Sequence, residues 1–343
     1  MLDVFKTNPD AFSVISLTDN IESLKYQPGH IGSLGIFAET GITTLTAMIE
    51  ERDGILQLIT PTPRGGPGDT ITKSVRTARS IAVPHFEIND GIYADEVQSV
   101  RAWGSENDVE TVQGKITERQ VIHTQSMEAT IEYARIGAVK GIITYADSST
   151  LDLFSFFGVT QEAEVDFDLD NANPASGALR TKCASVARTI ANNLGGVGYT
   201  GILAECGDTF FDQLVANVEV VNSYKNTDMA AVLRQPYLLP GNPNLIYGAF
   251  EFGGIVFYNY RGSVGSTAFI DPLKCHVFPT GVSGLFRSYM APADYSETVN
   301  TVGKRIYTKQ YPFPNDKGYH LDSQSNILSI CTRPKVLIKG KNT

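Results

Sequence analysis

The chain has 343 residues, of which 42% are hydrophobic and 19% are charged, and its formal net charge is −9. This composition is ordinary for a folded protein with a sizeable core and excludes a largely disordered chain. The sequence contains no apolar run of the roughly 20 residues that span a bilayer and no secretory signal, so we expect cytoplasmic folding without a membrane.

Basic residues form no dense cluster along the sequence. Sequence-independent DNA binding draws its affinity from the neutralisation of phosphates and normally needs a basic patch. The sequence therefore argues against a DNA-binding module. It is compatible with a container for DNA, because a wall that repels or ignores phosphate lets a duplex slide as it enters.

The first 49 residues combine turn signals with short apolar stretches. Pro28, Gly29, Gly35 and Gly41 interrupt any regular periodicity in this part of the chain. Such a pattern is typical of an arm that crosses other surfaces rather than of a compact domain. We therefore assign residues 1–49 to an N-terminal arm.

Residues 50–82 are predicted to form an extended β-hairpin. The pattern predicts one strand over 54–62 and a second, rich in polar side chains, over 70–79. An isolated hairpin is marginal in water, so it either folds back on its own domain or lies on a neighbouring subunit, which we favour. The candidate interface residues, at and beside the tip, are Arg64, Gly65, Gly66, Asp69, Lys73 and Arg76.

A long helix is predicted over residues 114–141. No proline interrupts about seven turns, Thr117 is the expected N-cap, and Gly141 is the expected stop. The predicted length exceeds that of an average helix, about 10–14 residues. The pattern therefore indicates a structural spine.

Carboxylates and apolar residues alternate between residues 161 and 170. Period-two spacing on a strand would place all the carboxylates on one face. They could bind a divalent cation, or they could be the solvated charges of an edge strand. We favour the edge strand and claim no metal, because calcium loops normally need a glycine turn. The carboxylates are Glu162, Glu164, Asp166, Asp168 and Asp170.

Helices and strands alternate in the middle of the chain. An amphipathic helix is predicted over 176–194, with Ser176 as a cap, followed by a strand over 199–204. A helix over 208–218 and a strand over 253–260 come next. This order indicates a mixed α/β domain.

The C-terminal part of the chain is rich in predicted strands. They cover 304–311, 318–326 and 327–332, with a turn at 315–318. We expect the last of them to pair beside the long helix and close the domain.

The sequence gives no support for catalysis. It lacks a phosphate loop, a nucleophile elbow of GxSxG spacing and metalloenzyme motifs, and we predict no cofactor and no metal site. Cys275 and His276 are neighbours on a predicted strand, so they point to opposite faces and cannot pair. We expect a core cysteine and a surface histidine. The four cysteines are expected to be buried free thiols: Cys183, Cys206, Cys275 and Cys331.

Several phrases of the sequence, in this order, resemble a known family. They are Phe157-Gly158-Val159 leading into Val165-Asp166-Phe167, the stretch 291–301 (Ala-Pro-Ala-Asp-Tyr-Ser-Glu-Thr-Val-Asn-Thr), residues 307–310 running into 315–319, and residues 324–337. The chain resembles the lambda-like major capsid protein E family of tailed bacteriophages, which have the Hong Kong 97-type fold. The resemblance covers nearly the whole chain.

The resemblance implies an α+β fold with four parts. They are the arm (1–49), the extended loop (50–82), a peripheral domain with the spine helix (83–170 and 292–343) and an axial α/β domain (171–291). It implies a head protein that self-assembles into an icosahedral shell around double-stranded DNA, as homo-hexamers and homo-pentamers. Further implied partners are a decoration protein at three-fold positions and portal and scaffold proteins during assembly.

Two other functions remain open at this point. The first is an encapsulin-like nanocompartment shell protein with the same fold. The second, from a different class, is a soluble cytoplasmic hydrolase that uses Cys275 or Cys206. Inertness of the thiols to alkylation would count against the hydrolase.

Overall fold

The computed structural model describes residues 28–52, 76–98, 111–171, 173–225, 246–314 and 317–342. The helices of these ranges are α1 (His30–Ser33), α2 (Ala94–Val97), α3 (Val112–Lys140), α4 (Leu153–Phe157), α5 (Ala178–Leu194), α6 (Asp208–Ala216) and α7 (Val218–Lys225). Their strands are β1 (Phe37–Gly41), β2 (Thr46–Arg52), β3 (Arg76–Ala82), β4 (Phe86–Tyr93), β5 (Ile142–Thr144), β6 (Thr150–Asp152), β7 (Val165–Asp166), β8 (Gly201–Cys206), β9 (Ile246–Phe252), β10 (Ile255–Tyr260), β11 (Ser263–Val264), β12 (Thr267–Ala268), β13 (Lys274–Thr280), β14 (Phe286–Met290), β15 (Tyr307–Pro312), β16 (Gly318–Ser325), β17 (Ile327–Cys331) and β18 (Ile338–Lys341).

The predicted long helix is confirmed as α3, which has 29 residues. It begins two residues earlier than predicted, because the Thr111 side chain accepts a hydrogen bond from the backbone N–H of Gly114 at 3.0 Å. Thr117 was the wrong cap: it lies inside the helix, where its hydroxyl donates to the carbonyl of Gln113. Gly141 ends the helix as predicted, in a left-handed conformation with φ 83° that favours glycine.

The largest sheet has six strands in the order β7-β18-β13-β8-β10-β9. One face is apolar and carries Cys275, which is paired in register with Cys206. Phe210 of α6 packs edge-on against Phe167, with ring centroids 5.5 Å apart, and both contact Phe257 of β10. Helices α5 and α6 thus bury this face, as the apolar stripe of the predicted 176–194 helix requires.

Two three-stranded sheets surround the long helix. The first has the order β1-β14-β17 and the second the order β15-β16-β4. His123 of α3 forms a hydrogen bond of 3.0 Å with Ser323 of β16, and β17 packs along α3. The prediction that the strand over 327–332 lies beside the long helix is therefore confirmed.

Several predicted boundaries differ from those of the structure. The regular strand predicted over 161–170 is reduced to β7. Asp168 adopts φ 55°, which ends the extended backbone after β7. Gly177, not Ser176, lies at the N-cap of α5. The predicted 208–218 helix is divided into α6 and α7 at Asn217.

Two strands of the large sheet, β9 and β18, were not predicted. Gly253 and Gly254, which we assigned to the start of a strand, form the turn between β9 and β10, both with positive φ. β18 lies between β7 and β13, although its sequence offers a single large apolar side chain, Ile338. The axial and peripheral segments of the sequence therefore share this sheet.

The end of the segment that we assigned to the N-terminal arm lies in the core. Ile31 is fully buried and Phe37 is 8% exposed. The β1 strand pairs in parallel with β14, from Phe37 with Phe286 to Gly41 with Met290. Within the described part of the chain, no helix is long and apolar enough to cross a membrane.

His276 is buried, so the prediction of a surface histidine was wrong. It lies on the polar face of the six-stranded sheet, opposite Glu205 on one side and Lys339 on the other. The alternation of side chains along the strand correctly placed His276 and Cys275 on opposite faces of the sheet. The face that carries His276, however, is buried as well. Burial, together with the nearby charges of Lys140, Lys339 and Lys274, lowers the pKa of His276 to about 3.

We predict that His276 makes the protein sensitive to acid. Between the ordinary pKa of 6.5 and the folded value of about 3, the unfolded chain binds a proton that the folded protein does not. The free energy of unfolding should therefore fall with decreasing pH in this window, by up to about 1.4 kcal/mol per pH unit from this group. Chemical denaturation of His276→Gln across pH 4–7 should show a weaker pH dependence than the wild type.

The matched control for this measurement is His85→Gln. The side chain of His85 is 44% exposed and its Nε2 lies 3.5 Å from Glu87 Oε2, so this variant measures what the loss of a surface histidine does to the pH dependence. An equal pH dependence in His276→Gln and the wild type would contradict the prediction.

Candidate assembly surface

The β2–β3 hairpin stem has two different faces. Along β2, Ala47 and Ile49 are buried, whereas Met48 is 63% exposed, and Leu45 just before the strand is 68% exposed. Successive side chains of a strand point to opposite faces. One face of the stem therefore packs on its own subunit, and the other presents Met48 outward, while Leu45 is exposed where the chain enters the stem.

Arg79 binds β3, the second strand of the stem, to the rest of its own subunit. Its Nη1 donates to the backbone carbonyl of Phe156 at 2.5 Å, and Ile81 on the same strand packs against the core. The carbonyls of the last helical turn lack partners within the helix, so Arg79 also caps the end of α4. Together with Ala47 and Ile49, this contact fixes the position of the stem on the rest of the subunit.

A second exposed apolar segment lies beside the base of the hairpin. Val299 is 64% exposed and Val302 is 60% exposed. The backbone N–H of Gly303 donates to the carbonyl of Ile42 at 2.9 Å, which places this loop next to the connection between β1 and β2. Clustered exposed apolar side chains commonly mark contact sites. We call Leu45, Met48, Val299 and Val302 the hairpin-base patch.

The outer face of the β15-β16-β4 sheet is acidic. Gln324 bridges two carboxylates there, with its Nε2 at 2.5 Å from Asp294 Oδ1 and 3.5 Å from Glu87 Oε1. Burial raises the pKa of the Tyr295 hydroxyl to about 12, and the charges of Asp322, Asp294 and Glu87 add to this. These groups interact with one another and with neutral side chains, and no set of His, Cys, Asp or Glu among the described residues could hold a metal ion.

The alternating acidic segment pairs with lysines. Glu164 lies 2.7 Å from the Nζ of Lys274 and 3.5 Å from that of Lys339. Asp166 lies 3.8 Å from the Nζ of Lys341. Glu162 and Lys335 are 3.9 Å apart. Because β7 is the outermost strand of its sheet, the edge-strand interpretation describes this segment.

The cysteines are free and buried, as predicted. Burial raises the pKa of Cys183 and of Cys331 to about 12. It also raises that of Cys206 well above its ordinary value, with Cys275 adding to the shift. The thiolate is the nucleophilic form of cysteine, so these thiols are unsuited to the hydrolysis that we kept as an alternative.

The structure describes little of the predicted hairpin tip. Arg64, Gly65, Gly66, Asp69 and Lys73 lie outside the described residues, as does the strand predicted over 54–62. Arg76, the sixth candidate, is the first residue of β3, and its backbone pairs with that of Arg52. These interface assignments stay predictions.

Sequence reasoning missed the residues that form the base of the hairpin. The first strand of the predicted hairpin, 54–62, begins after β2 has ended, although Ala47 and Ile49 already show the alternation of a half-buried strand. No local signal identified Arg79 or Val302, since their contacts join distant parts of the chain.

Comparison with known proteins places these observations in a family. Residues 13–342 match the family model of phage major capsid protein E. The chain belongs to this family. As a member, it is a structural protein of the phage shell and not an enzyme, and it resides in the virion capsid.

Similar proteins and structures span almost the whole chain. The chain is 26% identical to the major capsid protein of Pseudomonas phage KPP10, covering 96% of this chain and 97% of the relative. It is 25% identical to that of Salmonella phage Felix O1, covering 95% of each. The solved capsid of Myoviridae phage XM1 has a TM-score of 0.56 at 12% identity, covering 94% of this chain and 95% of that one. The Hong Kong 97-type fold expected from the sequence is thus confirmed.

The buried thiols lead to a direct prediction. Iodoacetamide at pH 8 should label none of the four cysteines of the native protein within the time that labels all of them in denaturant, because their burial blocks access of the reagent. Mass spectrometry of the intact chain counts the adducts. Rapid native labelling of any cysteine would show that its burial is wrong, and the denatured sample serves as the control.

Proposed function

We propose that the hairpin begun by β2 and β3 lies on a neighbouring copy of the chain and is the main fastening between subunits of the shell. The observation that supports this proposal is that one face of the stem is buried on its own subunit and the other is exposed. Its inner face is anchored by Ala47, Ile49 and Arg79, whereas Met48 on the other face and Leu45 before the strand are exposed. Residues 53–75 connect the paired positions Arg52 and Arg76 in the sequence.

The hairpin-base patch adds apolar area to the same contact. A fully buried large apolar side chain contributes about 1.5–3 kcal/mol. Each such contact can be weak on its own, because a closed shell repeats it many times and the copies reinforce one another. Weak single contacts also allow a misplaced subunit to dissociate before the shell closes.

We further propose that the subunits form homo-hexamers and homo-pentamers through an axial domain. This domain consists of residues 171–291, and its sheet is completed by β7 and β18 from the peripheral segments 83–170 and 292–343. The spine helix α3 supports the peripheral domain. This division keeps the boundaries that the sequence suggested and accounts for the shared sheet.

The proposed shell encloses double-stranded DNA without sequence-specific binding. The net charge of −9 and the pairing of Lys274, Lys335, Lys339 and Lys341 with carboxylates support this, because paired lysines offer little to phosphate. A decoration protein at three-fold positions and portal and scaffold proteins complete the proposed set of partners. Membership of a phage family favours this role over a nanocompartment shell.

Deletion of residues 62–69 should leave a folded subunit that fails to form closed shells. The segment lies beyond the paired stem, so the core should be unaffected while the contact with the neighbour is lost. Circular dichroism checks the fold and negative-stain electron microscopy checks the particles. Normal particles from this deletion would remove the hairpin from the proposed role.

The double variant Leu45→Ser/Met48→Ser tests the patch without shortening the chain. It should raise the protein concentration needed for assembly about tenfold or more, since a loss of 1.4 kcal/mol already lowers an association constant tenfold. Val121→Ser on α3, at a residue that is 52% exposed, is the matched control and should assemble normally. Light scattering against concentration measures both, and equal thresholds would count against the patch.

A further inference from the structure

A short segment near the start of the described chain lies between the long helix and the six-stranded sheet. Its residues are 28–36, and they include α1. Ile31 is fully buried, and His30 is 1% exposed. The His30 ring lies between the rings of Tyr258 and Tyr260, with centroid distances of 5.2 and 5.4 Å. The segment therefore contacts both elements, beside the place where Tyr260 of β10 reaches the helix directly.

Polar groups hold this segment on both sides. On the sheet side, His30 Nε2 and Glu205 Oε1 of β8 form a hydrogen bond of 3.0 Å. On the helix side, Glu132 of α3 accepts from the backbone N–H groups of Ile31 at 2.6 Å and Gly32 at 2.9 Å. The Tyr260 hydroxyl donates to the same carboxylate at 3.3 Å. Glu132 and Glu205 are 3% and 1% exposed.

The polar junction is incompletely satisfied. Neither His30 Nδ1 nor Glu205 Oε2 has a hydrogen-bond partner among the described protein atoms. A buried polar atom must bind water or remain unpaired, and the second costs free energy. Burial also raises the pKa of Glu132 despite the hydrogen bonds that oppose this. These groups reduce the free-energy advantage of the closed arrangement over one that hydrates them.

The segment relies on a neighbouring helix for its cap, whereas α3 and β8 have hydrogen-bond partners outside the segment. Its helix has four residues, and its N-cap, Gly29, supplies no side-chain hydrogen bond. Glu132 caps it instead, from a helix about a hundred residues away. By contrast, α3 has its own cap at Thr111, and β8 is bonded to strands on both sides. The segment can therefore detach while both neighbours stay folded.

From this arrangement we infer that residues 28–36 are a releasable latch. Closed, the latch ties α3 to the six-stranded sheet through Glu132, His30 and Glu205. Open, it removes the link through His30 and Glu205, and the helix and the sheet stay joined through direct contacts such as that of Tyr260 with Glu132. Buried ion pairs and hydrogen bonds suit this task because they are directional but add little net stability compared with apolar packing. Its use during shell assembly rests on the proposed function, whereas the latch itself does not.

Hydrogen exchange of the unassembled wild-type subunit tests the latch directly. The amides of residues 31–35 should exchange at least tenfold faster than those of β8 and of the second half of α3. Their rates should also be insensitive to low concentrations of denaturant, as expected for a local opening. Equal rates and equal denaturant dependence in all three regions would overturn the proposal, whether or not the subunit forms shells.

Variants should move the exchange rate in opposite directions. Glu132→Ala removes the cap and should speed exchange at residues 31–35 at least tenfold, with β8 unchanged. Replacing the pair by apolar side chains, His30→Phe/Glu205→Met, should slow it at least tenfold. Glu128→Ala is the matched control, because Glu128 lies one turn earlier on α3 and pairs with Arg305 instead of the segment. Faster exchange in the apolar variant would overturn the proposal, because it would show that the His30–Glu205 pair stabilises the closed segment more than apolar packing does.

Discussion

The six-stranded sheet is the constraint on which the rest of the structure depends. Its neighbouring strands come from distant parts of the sequence: β18 lies between β7 and β13, and β13 pairs with β8. Helices α5 and α6 cover one face, and the segment 28–36 reaches the other through Glu205. The long helix is tied to this sheet through the same segment and through Tyr260, and the three-stranded sheets pack on that helix in turn.

The hairpin stem combines buried and exposed apolar side chains on one element. It is bound to its own subunit by Arg79 and by small and medium apolar side chains, and this requires no second copy. The exposed Met48 and Leu45 take no part in that binding. In the proposed function, these two side chains are available for contact with a neighbouring copy of the chain.

Much of the fold could be predicted because it follows local patterns. The uninterrupted periodicity before Gly141 predicted α3, and the apolar stripe predicted α5. The errors arose where distant contacts decide. His276 was assigned to the surface because alternation says which face a residue takes but not whether that face is covered. Asp168 broke a perfectly alternating strand through one positive φ angle.

The candidate interface was predictable only in outline. Turn residues and weak apolar content indicated a hairpin without a core of its own. The hairpin-base patch remained hidden, because the loop that carries Val302 is held beside the connection between β1 and β2 by a backbone hydrogen bond between Gly303 and Ile42, which lie far apart in the sequence. Glu132 gave no signal either, since a carboxylate on a helix is ordinarily solvated and this one caps a segment from which it is distant in sequence.

The position of β18 bears on the order in which the fold can form. The strand is formed by residues 338–341, and it pairs with β13 on one side and with β7 on the other. Until residues 338–341 have been synthesised, β7 therefore has no strand to join and one edge of β13 stays unpaired. The assembled sheet thus requires segments that lie far apart in the sequence, and folding of this layer must follow the synthesis of all of them.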